Sequence, residues 1–224
     1  MTSLADLAWP EVEHSAAGAL LVVPIGATEQ HGPHLPLSTD TDIAVALAEA
    51  IARERGAVVA PALAFGSSGE HAGFPGTLSI GPAATELLLV ELVRSASATF
   101  ARVVLLSAHG GNAECVSRAE TRLREEQRDV RAFFPTWSGD AHAGRAETSL
   151  MLALAPERVR LDRAESGVTT ALPEILPRLR DAGVRAVSKN GVLGDPAGAS
   201  AEEGRQLLRS AVDELLCFVD DWRP

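Results

Sequence analysis

The sequence predicts an α/β fold of three layers, α/β/α, in which helices cover both faces of a mostly parallel sheet. Short apolar runs of strand length alternate with longer segments whose apolar residues recur at helical spacing. This alternation is typical of layered α/β domains. The chain has 224 residues, with no internal repeat, low-complexity tract or convincing linker, so we expect one domain over residues 1–224.

Four apolar runs are predicted as strands. They are residues 20–24, 57–63, 102–107 and 130–135. The segments around them are predicted as helices, because their apolar residues repeat every three or four positions. These are residues 42–55, about 83–100, 112 to about 127, 146–154, about 171–181 and 200–219. Asn112 is a candidate cap for the third helix.

Charge and composition disfavour several classes of function. The net charge of −10 disfavours nucleic acid as a partner, because phosphate binding needs a positive surface. No apolar run reaches the roughly 18 residues of a membrane span, and the first residues lack the pattern of a signal peptide. Two cysteines do not make a disulfide framework, so we expect a reduced, cytoplasmic protein.

The densest group of potential metal ligands follows the first predicted strand. It comprises Glu29, His31, His34 and Asp40. Glu29 and His31 are two residues apart, so in extended chain they point the same way. Carboxylates and imidazoles suit zinc, iron or manganese, and Asp40 is well placed to bridge two ions. Alternatively, Asp40 or Asp42 caps the next helix, and for His34 we favour a supporting role over direct ligation.

Two further clusters follow later strands. His109 comes two residues after the third strand, where a simple turn would not need an imidazole. A phosphate loop is disfavoured there, because no Gly-x-Gly-x-x-Gly or Walker pattern is present. His142 and Glu147 follow the fourth strand, although an acid is favoured in a first helical turn without any ligand. Ligands bind beyond the carboxyl ends of such strands, so we expect the clusters to converge.

Residues 66–77 are rich in glycine and are predicted to form a flexible lid or a substrate-facing loop. Ser68, Glu70 and His71 are its candidate substrate contacts. Glu70 and His71 have two alternative interpretations, as catalytic groups or as a solvated pair on a loop.

The motifs together resemble the creatininase family of metal-dependent amidohydrolases. They are Gly26-Ala27-Thr28-Glu29-Gln30-His31-Gly32-Pro33-His34-Leu35-Pro36, Thr39-Asp40, His109-Gly110-Gly111-Asn112 and Glu147-Thr148-Ser149. The match is ordered and spans nearly the whole chain. The resemblance implies a creatininase-like fold, hydrolysis of an amide or peptide C–N bond, and two divalent ions. It also implies the ligands Glu29, His31, Asp40 and His109, with Asp40 bridging.

The chain departs from the creatinine-hydrolysing members of that family at two positions. Those members carry a glutamate where this chain has Gly111, and an aromatic residue where it has Gly110. Creatinine is therefore disfavoured as the substrate. We expect Glu147 to replace the missing ligand or to act as a base. His142 is the candidate for moving a proton to the leaving amine, since imidazole serves as acid and base near pH 7.

Within the family, residues 66–71, 139–144 and 191–196 resemble the branch of peptidases that acts in mycofactocin maturation. That resemblance implies release of a C-terminal Val-Tyr dipeptide from a radical-modified precursor peptide. The peptide carboxylate needs a cation or an anion-binding nest, and Arg145, Lys189 and Arg205 are the candidates, with Arg145 also predicted as a substrate contact.

Two other functions remain as alternatives. One is hydrolysis of a small cyclic amide or a formamide, and the other is a non-catalytic, metal-free binding module. Family members commonly form homo-oligomers, often hexamers, so the resemblance also implies self-association.

Overall fold

The computed structural model describes residues 2–15, 18–137 and 139–222, and a parallel sheet of five strands lies at its centre. The strands are β1 (Thr2–Ser3), β2 (Leu20–Ile25), β3 (Val58–Val59), β4 (Arg102–Ser107) and β5 (Val130–Phe133). Their order in the sheet is β1-β3-β2-β4-β5. β2 and β4 are neighbours in register from Leu20↔Arg102 to Ile25↔Ser107, so their carboxyl ends lie side by side.

Helices cover both faces of this sheet. They are α1 (Trp9–Ser15), α2 (Thr39–Arg55), α3 (Pro82–Ala96), α4 (Ala113–Glu125), α5 (Arg145–Leu154), α6 (Leu172–Ala182), α7 (Val184–Val187) and α8 (Ala201–Asp220). The predicted three-layer α/β fold is confirmed.

Alternation along the central strands separates two cores. Leu20 and Val22 of β2 point into the core that contains α2, α5 and α8. Leu21, Val23 and Ile25 point into the core that contains α3 and α4. Successive residues of a strand face opposite sides of a sheet, which explains why the whole of β2 is apolar.

The second predicted strand is much shorter than expected. Only Val58–Val59 forms a strand, although residues 57–63 were predicted. Pro61 has no backbone N–H and cannot donate to a sheet ladder, so regular pairing stops before it. The chain nevertheless stays beside β2, because the Leu63 N–H donates to the Pro24 carbonyl at 2.9 Å.

Asn112 occupies the predicted N-cap position of α4, but the prediction that its side chain caps this helix is wrong. α4 begins at Ala113, and the Asn112 side chain makes no capping hydrogen bond. Its Oδ1 instead accepts from the Ser67 N–H at 2.8 Å, and its Nδ2 donates to the Gly26 carbonyl at 3.0 Å. Asn112 therefore ties together three loops beyond the carboxyl ends of β2, β3 and β4.

Several short elements were not predicted, namely β1, α1 and α7. Each is at most seven residues long, too short to show a clear apolar period.

None of the helices within residues 2–15, 18–137 and 139–222 combines the length and the apolarity that crossing a bilayer requires.

Candidate metal centre

The predicted polar clusters meet beyond the carboxyl ends of the strands. Glu29 and His31 follow β2, and Asp40 lies in the first turn of α2. His109 follows β4, and Glu147 lies in the first turn of α5. The first four are buried, with at most 5% of their surface exposed. Parallel strands in register bring their ends to the same edge of the sheet, which explains why these distant residues converge.

Glu29 lies at the centre of the cluster and is fully buried. Its Oε2 is 3.1 Å from His109 Nε2, and its Oε1 is 3.2 Å from His71 Nε2. Neither carboxylate oxygen has a partner with hydrogen-bond geometry among the described residues. Burial raises the pKa of Glu29 to about 8, against the lowering effect of His109 and with support from Asp40. A buried carboxylate with free oxygens is costly unless a cation neutralises it.

Asp40 presents its two oxygens to two different imidazoles. Oδ1 is 3.2 Å from His31 Nε2, and Oδ2 is 3.5 Å from His109 Nδ1. Oδ2 is buried and has no hydrogen-bond partner within the part of the chain that the structure describes. Burial is the largest single influence and acts to raise the pKa of Asp40, but His31, His109 and His71 together outweigh it and lower that pKa. Asp40 therefore has the geometry of a bridging carboxylate.

Backbone hydrogen bonds determine which ring nitrogen of each imidazole faces Asp40. His31 Nδ1 lies 3.1 Å from the Glu29 carbonyl oxygen, so we assign its proton to that bond and leave Nε2 facing Asp40. His109 Nε2 lies 2.9 Å from the Ser67 carbonyl oxygen, which leaves Nδ1 facing Asp40. Metal-binding histidines typically donate their second N–H in this way.

Without a metal, the carboxylates attract protons to the same imidazoles. Burial is the largest single influence and acts to lower the pKa of His31, but Asp40, Glu147 and Glu29 together outweigh it and raise that pKa to about 10. The pKa of His109 is also raised, because Glu29 and Asp40 overcome the effect of burial. Bound cations would replace these protons.

Glu147 completes a second group of ligand atoms around Asp40. Its Oε2 accepts from the Ala143 N–H at 2.6 Å and lies 4.0 Å from His31 Nε2. Four groups of potential ligands occur among the described residues, and two of them are Glu29 with His31 and His142, and Glu29 with Glu70 and His71. The other two consist of Glu29, Asp40 and His109, and of His31, Asp40 and Glu147. Within each group the ligand atoms lie within 4.8 Å of one another. The last two groups share Asp40, so the donor set is suited to divalent metal binding.

Gly111 leaves no space for the glutamate that the resemblance would place there. A Cβ atom at Gly111 would collide with Glu70 Oε1, His109 Nε2 and the Ser67 carbonyl oxygen. A side chain at this position would disrupt the ligand cluster. The geometry therefore agrees with a ligand supplied from elsewhere, and Glu147 lies in the appropriate place.

Gln30 has a role that the sequence analysis did not identify. Its Nε2 donates to the Gly191 carbonyl oxygen at 3.1 Å and to His71 Nδ1 at 2.8 Å. Its backbone carbonyl lies 2.7 Å from His142 Nε2. These contacts assign the His71 proton to Nε2, which faces Glu29, and leave His142 Nδ1 free to accept a proton. The sequence signal for this role was that Gln30 lies between Glu29 and His31. In extended chain its side chain points to the side opposite theirs.

His142 lies beside the ligand groups and is also buried. Its Nδ1 is 3.8 Å from Glu29 Oε1. Burial lowers the pKa of His142 well below its usual value, and the positive charges of His31 and His71 lower it further. His142 is therefore a neutral imidazole near pH 7, and its Nδ1 carries no proton.

A cavity of about 740 Å³ opens beside the cluster. His71, His109 and His142 line one part of it, together with Glu70. The residues that line another part come from α6, Gly183 and the start of α7, and they are Leu172, Leu176, Leu179, Arg180, Asp181, Ala182, Gly183 and Val184. The ligand cluster is thus accessible to a ligand of moderate size.

The structure places the predicted substrate contacts in different surroundings. Ser68 is buried, with Oγ 3.5 Å from His109 Nε2. Glu70 lines the cavity, with Oε1 3.7 Å from His109 Nε2. His71 is buried beside Glu29 and also lines the cavity. Arg145 is not brought to the site, because it is exposed and pairs with Glu203 at 2.8 Å.

Three other residues lie away from the ligand groups. His34 is buried, and its Nε2 is 2.9 Å from Thr148 Oγ1. It belongs to none of the groups of potential ligands among the described residues, which agrees with a supporting role. Neither Lys189 nor Arg205 lines the cavity, and Arg205 pairs with Glu202 on α8.

Comparison with known proteins gives consistent similarities. Residues 5–219 match the creatininase family, described as creatinine amidohydrolase. A mycofactocin precursor peptide peptidase of Mycolicibacterium smegmatis is 48% identical over 92% of this chain and 86% of its own length. The protein of the same name from Mycobacterium ulcerans is 45% identical over 91% of this chain and 86% of its own length. A creatinine amidohydrolase of Pseudomonas putida is 28% identical over 94% of this chain and 93% of its own length.

Solved structures give the same result. A mutant creatininase of Zn-Zn type superimposes with a TM-score of 0.83 and is 27% identical, over 99% of this chain and 98% of the other. A manganese creatininase also has a TM-score of 0.83 and is 26% identical, over 100% and 99% of the two chains. The fold and the sequence therefore lead to the same group of proteins.

Proposed function

The chain belongs to the creatininase family, and from this premise we propose that it is a metal-dependent peptidase acting on a modified precursor peptide. The observation that carries the proposal is the pair of ligand groups that share Asp40 beside a cavity of about 740 Å³. The 48% identity to a precursor peptide peptidase supports this class of substrate over other amides. On this proposal the enzyme releases a C-terminal Val-Tyr dipeptide from the modified mycofactocin precursor.

Glu29, Asp40 and His109 would hold one divalent ion, and His31, Asp40 and Glu147 the second. The unpartnered buried oxygens of Glu29 and Asp40 support this assignment. Zinc, iron and manganese all suit a set of carboxylates and imidazoles, and related structures are described with zinc or manganese. Divalent ions in such sites lower the pKa of water and polarise carbonyl oxygens.

His142 would manage the proton of the reaction. In hydrolysis the carbonyl carbon gains the hydroxyl of water, the C–N bond breaks, and the leaving nitrogen gains the proton. His142 Nδ1 carries no proton and lies beside the ligand groups, 3.8 Å from Glu29 Oε1, so it is placed to take the proton of water. Its lowered pKa makes the protonated ring a strong acid, which favours delivery of that proton to the leaving amine. Glu147 acts as a ligand in this scheme, because the Ala143 N–H and His31 hold it beside Asp40. Its action as a base is the alternative.

Glu70 and His71 line the cavity and are the proposed substrate-facing residues of the 66–77 loop. Ser68 is buried, which favours a contact with His109 over one with the peptide. Arg145 no longer has support as a substrate contact, because its guanidinium is engaged by Glu203.

We also propose that residues 1–224 form one domain that acts in the cytoplasm as a hexamer-like homo-oligomer. Cys115 and Cys217 are free cysteines, which is consistent with a reducing compartment. Five of the nine exposed large apolar side chains of the described chain fall within residues 65–88, and they are Phe65, Leu78, Ile80, Leu87 and Leu88. Such a concentration supports a surface for self-association.

The test is to incubate the metal-loaded protein with a peptide ending in Val-Tyr and to measure free dipeptide by mass spectrometry. Cyclic amides and formamides serve as the competing substrates, because the similarity to creatinine amidohydrolase favours them as the second candidate. Hydrolysis of these amides alone would contradict the peptidase proposal. Elemental analysis tests the metal-free binding module, since that alternative requires protein without bound metal.

A further inference from the structure

The cavity beside the ligand cluster has a wall that the proposed chemistry does not use. Leu172, Leu176 and Leu179 of α6 line it. These leucines are spaced by four and three residues, so they share one face of the helix. Leu172 is 42% exposed, so its side chain is accessible from the cavity. A partly open apolar wall in a concave site is suited to binding apolar groups of a substrate.

Arg180 gives this wall its one positive group. It is the only arginine or lysine among the described residues that line the cavity, whereas Glu70, Glu114 and Asp181 contribute carboxylates. Within the described part of the chain, the Arg180 side chain makes no hydrogen bond or ion pair, unlike that of Arg178, which donates to the Ala186 carbonyl. Arg145 and Arg205, the two arginines considered from the sequence, are already paired with acids.

On the α6 wall this distribution of charge favours one position for an anionic group, whereas the proposed divalent ions would attract the scissile carbonyl oxygen at the ligand cluster. A carboxylate on this wall would be repelled by the three acids and attracted to Arg180. A guanidinium can bind a carboxylate through two parallel hydrogen bonds, which fixes orientation as well as position. A volume of about 740 Å³ suits a chain end of a few residues better than a folded segment.

We propose that Arg180 and the leucines of α6 form a subsite for the C-terminal end of the peptide substrate. Arg180 binds the terminal α-carboxylate, and Leu172 and Leu176 contact the apolar side chains of the last residues. The separation between Arg180 and the ligand cluster then determines how many residues are released. This inference rests on the proposed function and adds to it the residue that recognises the free chain end.

The experiment compares Arg180→Gln with Arg205→Gln, a matched change of charge at an arginine outside the cavity. The probes are a peptide ending in Val-Tyr and the same peptide with a C-terminal amide. For Arg180→Gln we expect KM for the free acid to rise about tenfold with kcat little changed, as for loss of a charge-assisted hydrogen-bonded pair. Kinetics on the amide should be unchanged, and Arg205→Gln should behave as wild type.

A second measurement separates this inference from the proposed function. Calorimetry follows binding of the Val-Tyr dipeptide and its amide to the metal-loaded proteins, with no need for hydrolysis. If wild type prefers the acid and Arg180→Gln does not, the subsite is supported even when neither peptide is cleaved, although the peptidase proposal then fails. If Arg180→Gln keeps the preference, or if wild type shows none, the subsite is overturned.

Leu172→Ser tests the apolar part of the subsite. Leu172 is substantially exposed, so the variant should fold with little loss of stability, which thermal unfolding checks. We expect KM to rise about threefold to tenfold for both the acid and the amide, in line with the loss of one apolar contact. An unchanged KM for both probes would remove Leu172 from the subsite.

Discussion

The ligand cluster and the α6 wall lie on the same cavity but are built in opposite ways. Glu29 and His31 are fully buried and follow a central strand, and backbone carbonyls orient the neighbouring imidazoles. The α6 wall is less buried, with Leu172 42% exposed, and α6 packs through Leu179 into a small core that also contains Val184 and Leu193. The chemistry is therefore held by the rigid sheet, whereas substrate recognition depends on a weakly packed helix that can change without disturbing the metal site.

Replacing Asp40 should have the largest effect on the ligand cluster and none on the α6 wall, because both ligand groups use Asp40. We expect Asp40→Asn to lose most bound metal and to lower peptide hydrolysis at least about a thousandfold. Replacing residues that only support ligands already lowers metal affinity or activity about 10 to 100-fold, and Asp40 is a ligand itself. Elemental analysis and the dipeptide assay measure the two effects. Asp42→Asn is the control in the same helical turn, where Asp42 pairs with Arg158 at the surface. Full metal content in Asp40→Asn would contradict a shared ligand.

The difference between the buried ligand cluster and the more exposed α6 wall also explains which features the sequence could predict. The β4 boundaries at residues 102 and 107 are confirmed, because a short apolar run between polar residues has few alternative structures. Convergence of Glu29, Asp40 and His109 followed from one rule, that ligands gather beyond the carboxyl ends of parallel strands. Each of these residues also has a side chain of a type that binds metals, so the residue types themselves indicated a metal site.

The rest depended on contacts that a linear sequence does not contain. Gln30 has no strong metal affinity, and its role comes from His71, 41 residues away, and Gly191, 161 residues away. Arg180 is one of many arginines, and only the packing of α6 beside the cavity distinguishes it. Asn112 was misassigned for the same reason, because capping is a local rule and its partners Ser67 and Gly26 are distant.

His142 lines the cavity but belongs to neither of the two ligand groups that share Asp40, so replacing it should separate catalysis from metal binding. We expect His142→Gln to retain metal and to lower kcat about 100 to 1,000-fold, the typical contribution of a general acid–base group. Steady-state kinetics and elemental analysis on the same samples measure both quantities. Loss of metal would instead make His142 a ligand, an arrangement that its position near Glu29 and His31 would also permit.

The metal-free protein should become less stable as pH rises from 6.5 to 8. The pKa of Glu29 is raised from 4.5 to about 8, and that of His31 from 6.5 to about 10. In this window the folded state binds more protons than the unfolded state, so the free energy of unfolding falls with pH. We expect a loss of about 1 to 3 kcal/mol over the window.

Urea unfolding in the presence of a chelator, at constant ionic strength, measures this loss. The metal-loaded protein is the control and should show no such fall, because bound cations displace the protons and bind better as pH rises. The α6 wall should contribute nothing to the effect, so Arg180→Gln should follow the wild-type curve. If the free energy of unfolding of the metal-free protein stays level or rises over this range, the pKa values of Glu29 and His31 are not raised in the folded state.

Arg145 gives the smallest expected effect and the sharpest contrast with Arg180. Both are exposed arginines, but Arg145 Nε lies 2.8 Å from Glu203 Oε2 and its side chain is 54% exposed. A surface ion pair of this kind contributes at most about 1 kcal/mol, so Arg145→Gln should lower the free energy of unfolding by less than that. KM for the free-acid peptide should not change, because Arg145 does not line the cavity. A tenfold rise in KM for Arg145→Gln, equal to that expected for Arg180→Gln, would mean that surface charge in general, and not one position on α6, attracts the peptide end.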